Sequence, residues 1–468
     1  MEFPKNFTWG AGASSYQIEG AAYDGGKGLS IWDKFCKSPG KIYKAQTGDV
    51  ACDHYNRFLD DVSLMKEVGL KAYRFSVSWP RVIPNGYGKV NEAGLDFYDR
   101  LVDALLAVNI EPWITLYHWE LPWQLHLEGG WLNPNISDRF AEYTSVVAKR
   151  LSDRVSRWIT INEVQVIVGL GYGSGIHAPG LKLSLHEILQ AGHHVQLAHG
   201  KSVQTLRANA KRPVLIGGAP VGVVSRPNTE SPEDIEAARM ATFDVVPPES
   251  TDPMAMQNGI WNSAWWMDPM FKGEYPENGL EAYREHLPEM SDGDLDIIFQ
   301  PLDFLGANIY HGRTVKADGN GGYEILNMPD GSPLTTMGWD IVPDILYWGS
   351  KYLYERYGKP IVVTENGTAT TDFPDENGEV IDSARCSYLK EHLKGISRVA
   401  ADGVECMGYF HWSIMDNFEW DRGYSQRFGI VYVNYQTQER ILKQSAKEYR
   451  DVIESNGASL SVSKACEV

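Results

Sequence analysis

The sequence predicts an α/β protein built as a single (β/α)8 barrel, with long loops at the C-terminal face of the strands. Three observations predict it. Short apolar runs without polar alternation recur along the chain, as strands buried on both faces of a parallel sheet require. Each run leads through a loop into a stretch with helical spacing of apolar residues. The polar residues that interrupt the runs gather at their C-terminal ends, where such barrels carry their chemistry.

The elements follow in order. Phe7-Thr8-Trp9-Gly10-Ala11 is the first strand. Phe58 to Val68 is helical, with Leu59, Val62, Met65 and Val68 on one apolar face. Ala72 to Trp79 is the second strand and ends at Pro80. Asn91 to Val108 is helical, and Glu111 to Trp119 is the third strand. Ser137 is placed to cap a helix carrying Phe140, Tyr143, Val147 and Leu151. Arg157 to Glu163 is strand four, followed by a helix from His186 to Asn209. Val214 to Ala219 is strand five, where Gly217-Gly218 allows close backbone approach. The mixed segment from Arg226 to Leu302 holds a helix near Asp234 to Phe243 and the cluster Trp261, Trp265, Trp266. Phe304 to Tyr310 is strand six, with a helix from Asp340 to Tyr357 after it. Ile361 to Glu365 is strand seven, Ser383 to Ala400 is helical, and Met407 to Ser413 is strand eight. A helix from Gln438 to Ile453 closes the chain.

No repeat, low-complexity tract or Pro/Ser-rich linker divides these units, so residues 1–468 read as one barrel domain. A doubly wound sheet shares the alternation. However, Gly10-Ala11-Gly12 lacks the turn-to-helix context of a phosphate loop.

Charge and composition narrow the function. The formal net charge of −18 disfavours nucleic acid and anionic membranes as partners, and no apolar run is long enough to span a bilayer. Five scattered cysteines show neither metal-ligand spacing nor a disulfide framework. With no apolar signal region near the start, a cytoplasmic protein of a reducing compartment is expected, although a trimmed secreted form would read the same way. The 15 Trp, 24 Tyr and 15 Phe exceed what a core of this size needs, and flat aromatic faces suit sugar rings.

The strand ends carry the candidates. They are Arg74 on strand two, His118-Trp119 on three, Asn162-Glu163 on four, Asn308 and Tyr310 on six, Glu365-Asn366 on seven and His411-Trp412 on eight. Each alone has a structural explanation. Together they describe a polar, aromatic-lined pocket holding two carboxylates. Two glutamates on separate strand ends suit glycoside hydrolysis, in which one protonates the leaving oxygen and the other attacks the sugar carbon or activates water. Arg74 favours the charged form of one of them; a drier site or its partner's charge favours the protonated form of the other. A metal site drawn from Asp53-His54, His118, His311 or His193-His194 has no matched ligand spacing.

The motifs Ile161-Asn162-Glu163, Val363-Thr364-Glu365-Asn366-Gly367 and the opening Phe7-Thr8-Trp9-Gly10 with Ser15-Tyr16-Gln17-Ile18-Glu19-Gly20 resemble glycoside hydrolase family 1. So do Tyr73 to Trp79, Leu116-Tyr117-His118-Trp119, Asn417-Phe418-Glu419-Trp420 and Arg427 to Val433. The resemblance spans nearly the whole chain. It implies a retaining β-glucosidase that removes terminal non-reducing β-D-glucosyl residues from cello-oligosaccharides or aryl β-glucosides. By matching position, Glu365 is the expected nucleophile and Glu163 the acid/base. Gln17, His118, Trp119, Asn162, Glu419 and Trp420 are expected to hold the innermost sugar, with Trp412 as its stacking platform. Asn308 and Tyr310 flank the nucleophile, which Tyr310 and Arg74 orient, while Trp339 and Phe428 shape the walls.

No cofactor or metal is implied, and the expected partner is a small β-glycoside. Glu419 would repel a 6-phosphate, which favours an unphosphorylated glycoside. The same machinery serves β-galactosidase or β-fucosidase specificity. A non-catalytic sugar-binding barrel would usually have lost a carboxylate. The chain departs from the family pattern at Val164, where Pro usually follows the acid/base. It departs also at Glu120 and Asn434, each in place of the usual Asp and both peripheral on this reading.

Overall fold

A computed structural model describes residues 3–220, 223–247 and 259–461. Residues 248–258 of the long mixed segment and Cys466 lie outside them. Eight parallel strands close a barrel, each paired with its sequence neighbours and the last with the first. They are β1 Thr8–Ala13, β2 Ala72–Ser76, β3 Glu111–Tyr117, β4 Arg157–Asn162, β5 Leu215–Ala219, β6 Phe304–Asn308, β7 Ile361–Asn366 and β8 Cys406–Trp412. Helices occupy the connections, among them His54–Val68, Glu92–Ala107, Ile136–Leu151, Leu185–Asn209, Ile345–Tyr357 and Ser383–Ala401.

The floor of the barrel is packed with side chains. Trp113 lies with its ring 5.4 Å from that of Phe304 and 4.9 Å from that of Phe410, and Ala72, Ile159, Ala219 and Val362 complete the layer. This plug keeps the barrel from being a pore and confines polar chemistry to one end. It also explains the glycines of β1. A Cβ at Gly10 would lie 2.5 Å from the Phe410 ring, and one at Gly12 would crowd Trp412 at 3.3 Å. Gly10 and Gly12 make room for aromatic residues of β8.

Several boundaries differ from the sequence reading, each for a local reason. The helix expected from Asp340 starts at Ile345, because Pro343 lies in the approach. The helix expected from Gln438 is first an antiparallel hairpin, Val431–Asn434 with Glu439–Leu442, and then a helix, Gln444–Glu454. Asn434 Oδ1 accepts from the N–H groups of Gln436 and Thr437 in that turn. The helix carrying Ser137 starts at Ile136, with Asn135, two residues before Ser137, at the N-cap position and no side-chain capping bond. Leu59 is 63% exposed; the buried face of its helix is Phe58, Asp61, Val62, Met65 and Val68. Asp61 is tolerated there because His54 and Arg440 bond to it. A three-stranded sheet of Val224–Pro227, Gly312–Ala317 and Tyr323–Leu326 was not anticipated. Trp265 and Trp266 are core residues beside it in sequence, fully buried on the helix Ala264–Phe271, so part of the aromatic surplus is packing.

Candidate active site

β7 loses register between Val363 and Glu365 against β6 and between Val363 and Asn366 against β8. Such an irregularity re-aims side chains at a strand end. It sets Glu365 between two donors. Arg74 Nη1 donates to Oε1 at 2.5 Å and the Tyr310 hydroxyl to Oε2 at 2.6 Å. A carboxylate anion accepts from both; a protonated carboxyl would turn a hydrogen toward one of them. Arg74 is only 1% exposed and uses all three guanidinium nitrogens, donating also to Thr364 O, Asn162 Oδ1 and Thr115 Oγ1.

Glu163 follows β4 at a left-handed φ of 52° and begins the short helix Val164–Val168. Its carboxyl is buried and pushed up to about 8, first by burial and then by the charge of Glu365; the Asn308 amide and Arg74 oppose the shift. Asn308 Nδ2 donates to Oε1 at 2.8 Å and to Asn162 Oδ1 at 3.0 Å. Two buried carboxyl groups therefore face one mouth with different surroundings. One is held by two donors, one of them a cation, and the other is suited to holding a proton.

Around them lies a ring of polar and aromatic side chains. Gln17 Nε2 donates to Asn417 Oδ1 at 3.0 Å, Phe418 O at 2.9 Å and Glu419 Oε2 at 3.3 Å, tying the turn after β1 to the loop after β8. Glu419 is pushed up to about 8 by burial and then by the charges of Asp421 and Glu365. Burial and then Arg74 hold His118 well below the usual histidine range, so it is neutral. The His118 ring stacks on Trp412 at 5.5 Å and 12°. Trp119 Nε1 donates to Asn162 O at 3.0 Å. Trp420 stacks on Tyr16 at 6.2 Å and packs tilted on Trp119 at 4.6 Å. Trp412, Phe428 and Ala369 form an apolar patch flanked by Tyr310, Met337 and Trp339. Three of these residues, Trp119, Glu163 and Trp420, hold positive φ, strain of a kind that clusters at functional sites.

The expected sugar-binding and catalytic positions thus meet in one mouth, but two strand-end candidates are engaged elsewhere. Asn366 bonds to Ile309 O and to the Tyr388 and Tyr409 hydroxyls, and the buried His411 ring packs beside Tyr409 and Tyr449, because neighbouring residues on a strand point to opposite faces. Strands two, three and six end earlier than the sequence reading had them, so His118, Trp119 and Tyr310 stand on the loops just past β3 and β6. The fold also joins residues that no sequence pattern connects. Asp416, Arg427, Lys443, Asp372 and Arg385 form a buried ion network under the loop that carries Glu419, Trp420 and Phe428. Their charges lie far apart in sequence, so no local pattern marks them. Glu120 had read as peripheral and is not. It is 3% exposed, accepts from Ser78 Oγ at 3.0 Å and from Ser15 Oγ, and is raised to about 7, chiefly by burial. Its position next to His118-Trp119 was the available clue.

Among the described residues, no group of three or more His, Cys, Asp or Glu side chains is arranged to hold a metal ion. His54 bonds to Asp61, and His193 to Tyr275 and Asp294. Nor, among the described residues, is any helix long and apolar enough to cross a membrane.

The family model described as Glycosyl hydrolase family 1 matches residues 1–458. The chain is 44% identical over 463 residues to a 1,4-beta-D-glucan glucohydrolase of Thermotoga neapolitana, covering 97% of this chain and 99% of that protein. Beta-glucosidase A of Acetivibrio thermocellus is also 44% identical, with 98% and 99% covered. A solved structure titled as the family 1 b-glucosidase from Thermotoga maritima superposes with a TM-score of 0.87 at 42% identity, covering 97% of this chain and 99% of that one. A structure titled as a beta-glucosidase from Thermotoga maritima in complex with glucoimidazole matches with a TM-score of 0.87 at 43% identity, covering 97% of this chain and 99% of that one.

Proposed function

The chain belongs to glycosyl hydrolase family 1, and on that premise we propose a retaining β-glucosidase in which Glu365 is the nucleophile and Glu163 the acid/base. The observation that carries this reading is the contrast between the two carboxyls. Arg74 and the Tyr310 hydroxyl each donate to Glu365, while burial and the charge of Glu365 push Glu163 up to about 8.

In the first step Glu365 attacks the anomeric carbon while Glu163 gives its proton to the departing glycosidic oxygen. The bond to the aglycone breaks and a glycosyl ester to Glu365 forms. Glu163 is then a carboxylate, and Glu365 has lost its charge. In the second step Glu163 takes a proton from water, the water oxygen bonds to the anomeric carbon, and Glu365 leaves as a carboxylate.

The remaining roles follow from chemistry and position. Gln17, His118, Asn162 and Glu419 offer the paired donors and acceptors that a neutral sugar's hydroxyls need. Trp412 and Trp420 offer apolar faces for the ring. Trp119, Asn308, Trp339 and Phe428 complete the walls. Glucose as the preferred sugar follows the names of the similar proteins, and the alternative of shared β-fucosidase activity has a named counterpart. A protein of Bifidobacterium breve described as a bifunctional beta-D-glucosidase/beta-D-fucosidase is 40% identical. Another relative, of Bacillus subtilis, is named as an aryl-phospho-beta-D-glucosidase at 38% identity, but Glu419 is a carboxyl group where a phosphate would need a cation. Four described cysteines are unpaired and buried, which supports a cytoplasmic setting.

The test is Glu365→Gly. Turnover of nitrophenyl β-glucoside should collapse, and added azide should restore it with the α-glucosyl azide as product. Undiminished hydrolysis by this variant sinks the assignment. Comparing kcat/KM across β-glucoside, β-galactoside, β-fucoside and cellobiose ranks the sugars.

A further inference from the structure

We propose that Thr364 is a positioning residue for the acid/base, because its hydroxyl completes the chain of bonds that keeps the donor end of the Asn308 amide on Glu163. The inference rests on Glu163 being the acid/base.

An asparagine amide has nearly the same shape whichever way it is turned, so its partners set which end faces where. The chain begins at Arg74, which can only donate. Arg74 Nη2 lies 2.6 Å from Asn162 Oδ1, which sets that amide's oxygen toward the arginine. The same Oδ1 accepts from Asn308 Nδ2 at 3.0 Å. Asn308 Nδ2 has a second hydrogen, and it reaches Glu163 Oε1 at 2.8 Å. The Asn308 oxygen is left on the far side, where Thr364 Oγ1 donates to it at 2.7 Å. Thr364, Asn308 and Asn162 are all fully buried, so protein groups alone decide the direction.

The position of Thr364 is fixed by the strand. It is one residue before Glu365 on β7, at the register irregularity, and β7 pairs Glu365 with Asn308 of β6. One strand end therefore supplies the nucleophile and the group that polarises the amide on its partner.

Without the hydroxyl, the Asn308 oxygen is a buried acceptor with no donor. Two relaxations are open. The amide can stay as it is, with a weaker N–H toward Glu163, since linked hydrogen bonds reinforce one another. Or it can turn its oxygen to Glu163 and accept the carboxyl proton. Both favour the protonated form of Glu163. The other charged or titratable groups around Glu163 are Glu365 on β7, Arg74 on β2, and Glu419 and Tyr310 on loops. The substitution removes none of them.

The test compares the pH dependence of kcat/KM for Thr364→Val, Thr364→Ala and Thr364→Ser. The substrate is phenyl β-glucoside, whose leaving group needs the proton. We expect the alkaline limb of the Val and Ala variants to move up by about half a pH unit, roughly threefold in the proton equilibrium. Thr364→Ser keeps the hydroxyl and should keep the wild-type limb. With 2,4-dinitrophenyl β-glucoside, which leaves without a proton, the limb should not respond. If Val packs too tightly against the amide to fold, Ala carries the test. Limbs within about 0.2 unit of wild type for folded Val or Ala variants overturn the proposal, as does an equal shift in Ser. Such a result would come from a working enzyme. Failure of the glycosidase reading would instead appear as an inactive wild type or an unaffected Glu365→Gly variant.

Discussion

The charge of Glu365 should control the proton on Glu163, and Glu365→Gln removes that charge at nearly constant shape. At about 5.5 Å, the carboxyl separation that retaining chemistry uses, and an effective dielectric of about 20, two unit charges interact by about 3 kcal/mol. That corresponds to roughly 2 pH units. Glu163 stands at about 8 in the intact site. In Glu365→Gln it should titrate at about 6, the remaining elevation coming from burial and Glu419, against the pull of Asn308 and Arg74. The same drop should follow when a 2-fluoroglucosyl ester occupies Glu365, and this converts the acid of the first step into the base of the second. The assay is carbon-13 NMR of enzyme labelled at the glutamate δ-carbon, with the Glu163 signal identified by its loss in Glu163→Gln. A Glu163 titration in Glu365→Gln within about half a unit of wild type would refute the reasoning. Burial alone would then hold the proton.

Three further outcomes follow from the site. Glu163→Gln should cost about 10²–10⁴ in kcat/KM for phenyl β-glucoside and far less for the dinitrophenyl substrate, measured by initial rates. Arg74→Met leaves Glu365 buried without its cation, and urea unfolding should show a loss of about 3–5 kcal/mol; a loss under about 1 kcal/mol would mean that Tyr310 and water suffice. Glu120 keeps its proton up to about 7 when folded, against 4.5 for the ordinary carboxyl. Its folded carboxyl binds the proton more tightly, so its stabilising contribution is complete below about 4.5 and lost as pH rises through about 7. Glu120→Gln should therefore flatten the fall in Tm between about pH 5 and pH 8, and an unchanged slope would remove Glu120 from that account.

Sequence alone determined the alternation of strands and helices and the strand ends that carry the chemistry. A strand buried on both faces must be apolar throughout, so a lone Arg74 or Glu365 stands out in it. The carboxylate pair is legible for the same reason, and the motifs point to the family. Tertiary structure decided what local pattern does not encode. Proton placement depends on distances across the barrel: Arg74 to Asn162, Asn162 to Asn308, and Asn308 to Glu163 and Thr364. Those residues come from four different strands or strand ends, so their spacing in the chain says nothing of their meeting. Glu120 read as peripheral because a carboxylate in a loop is usually solvated; only the packing of Ser15 and Ser78 against it shows a buried strut. The aromatic count as a whole suits sugar rings, yet Trp265 and Trp266 are core, because burial is a property of the assembled fold rather than of composition.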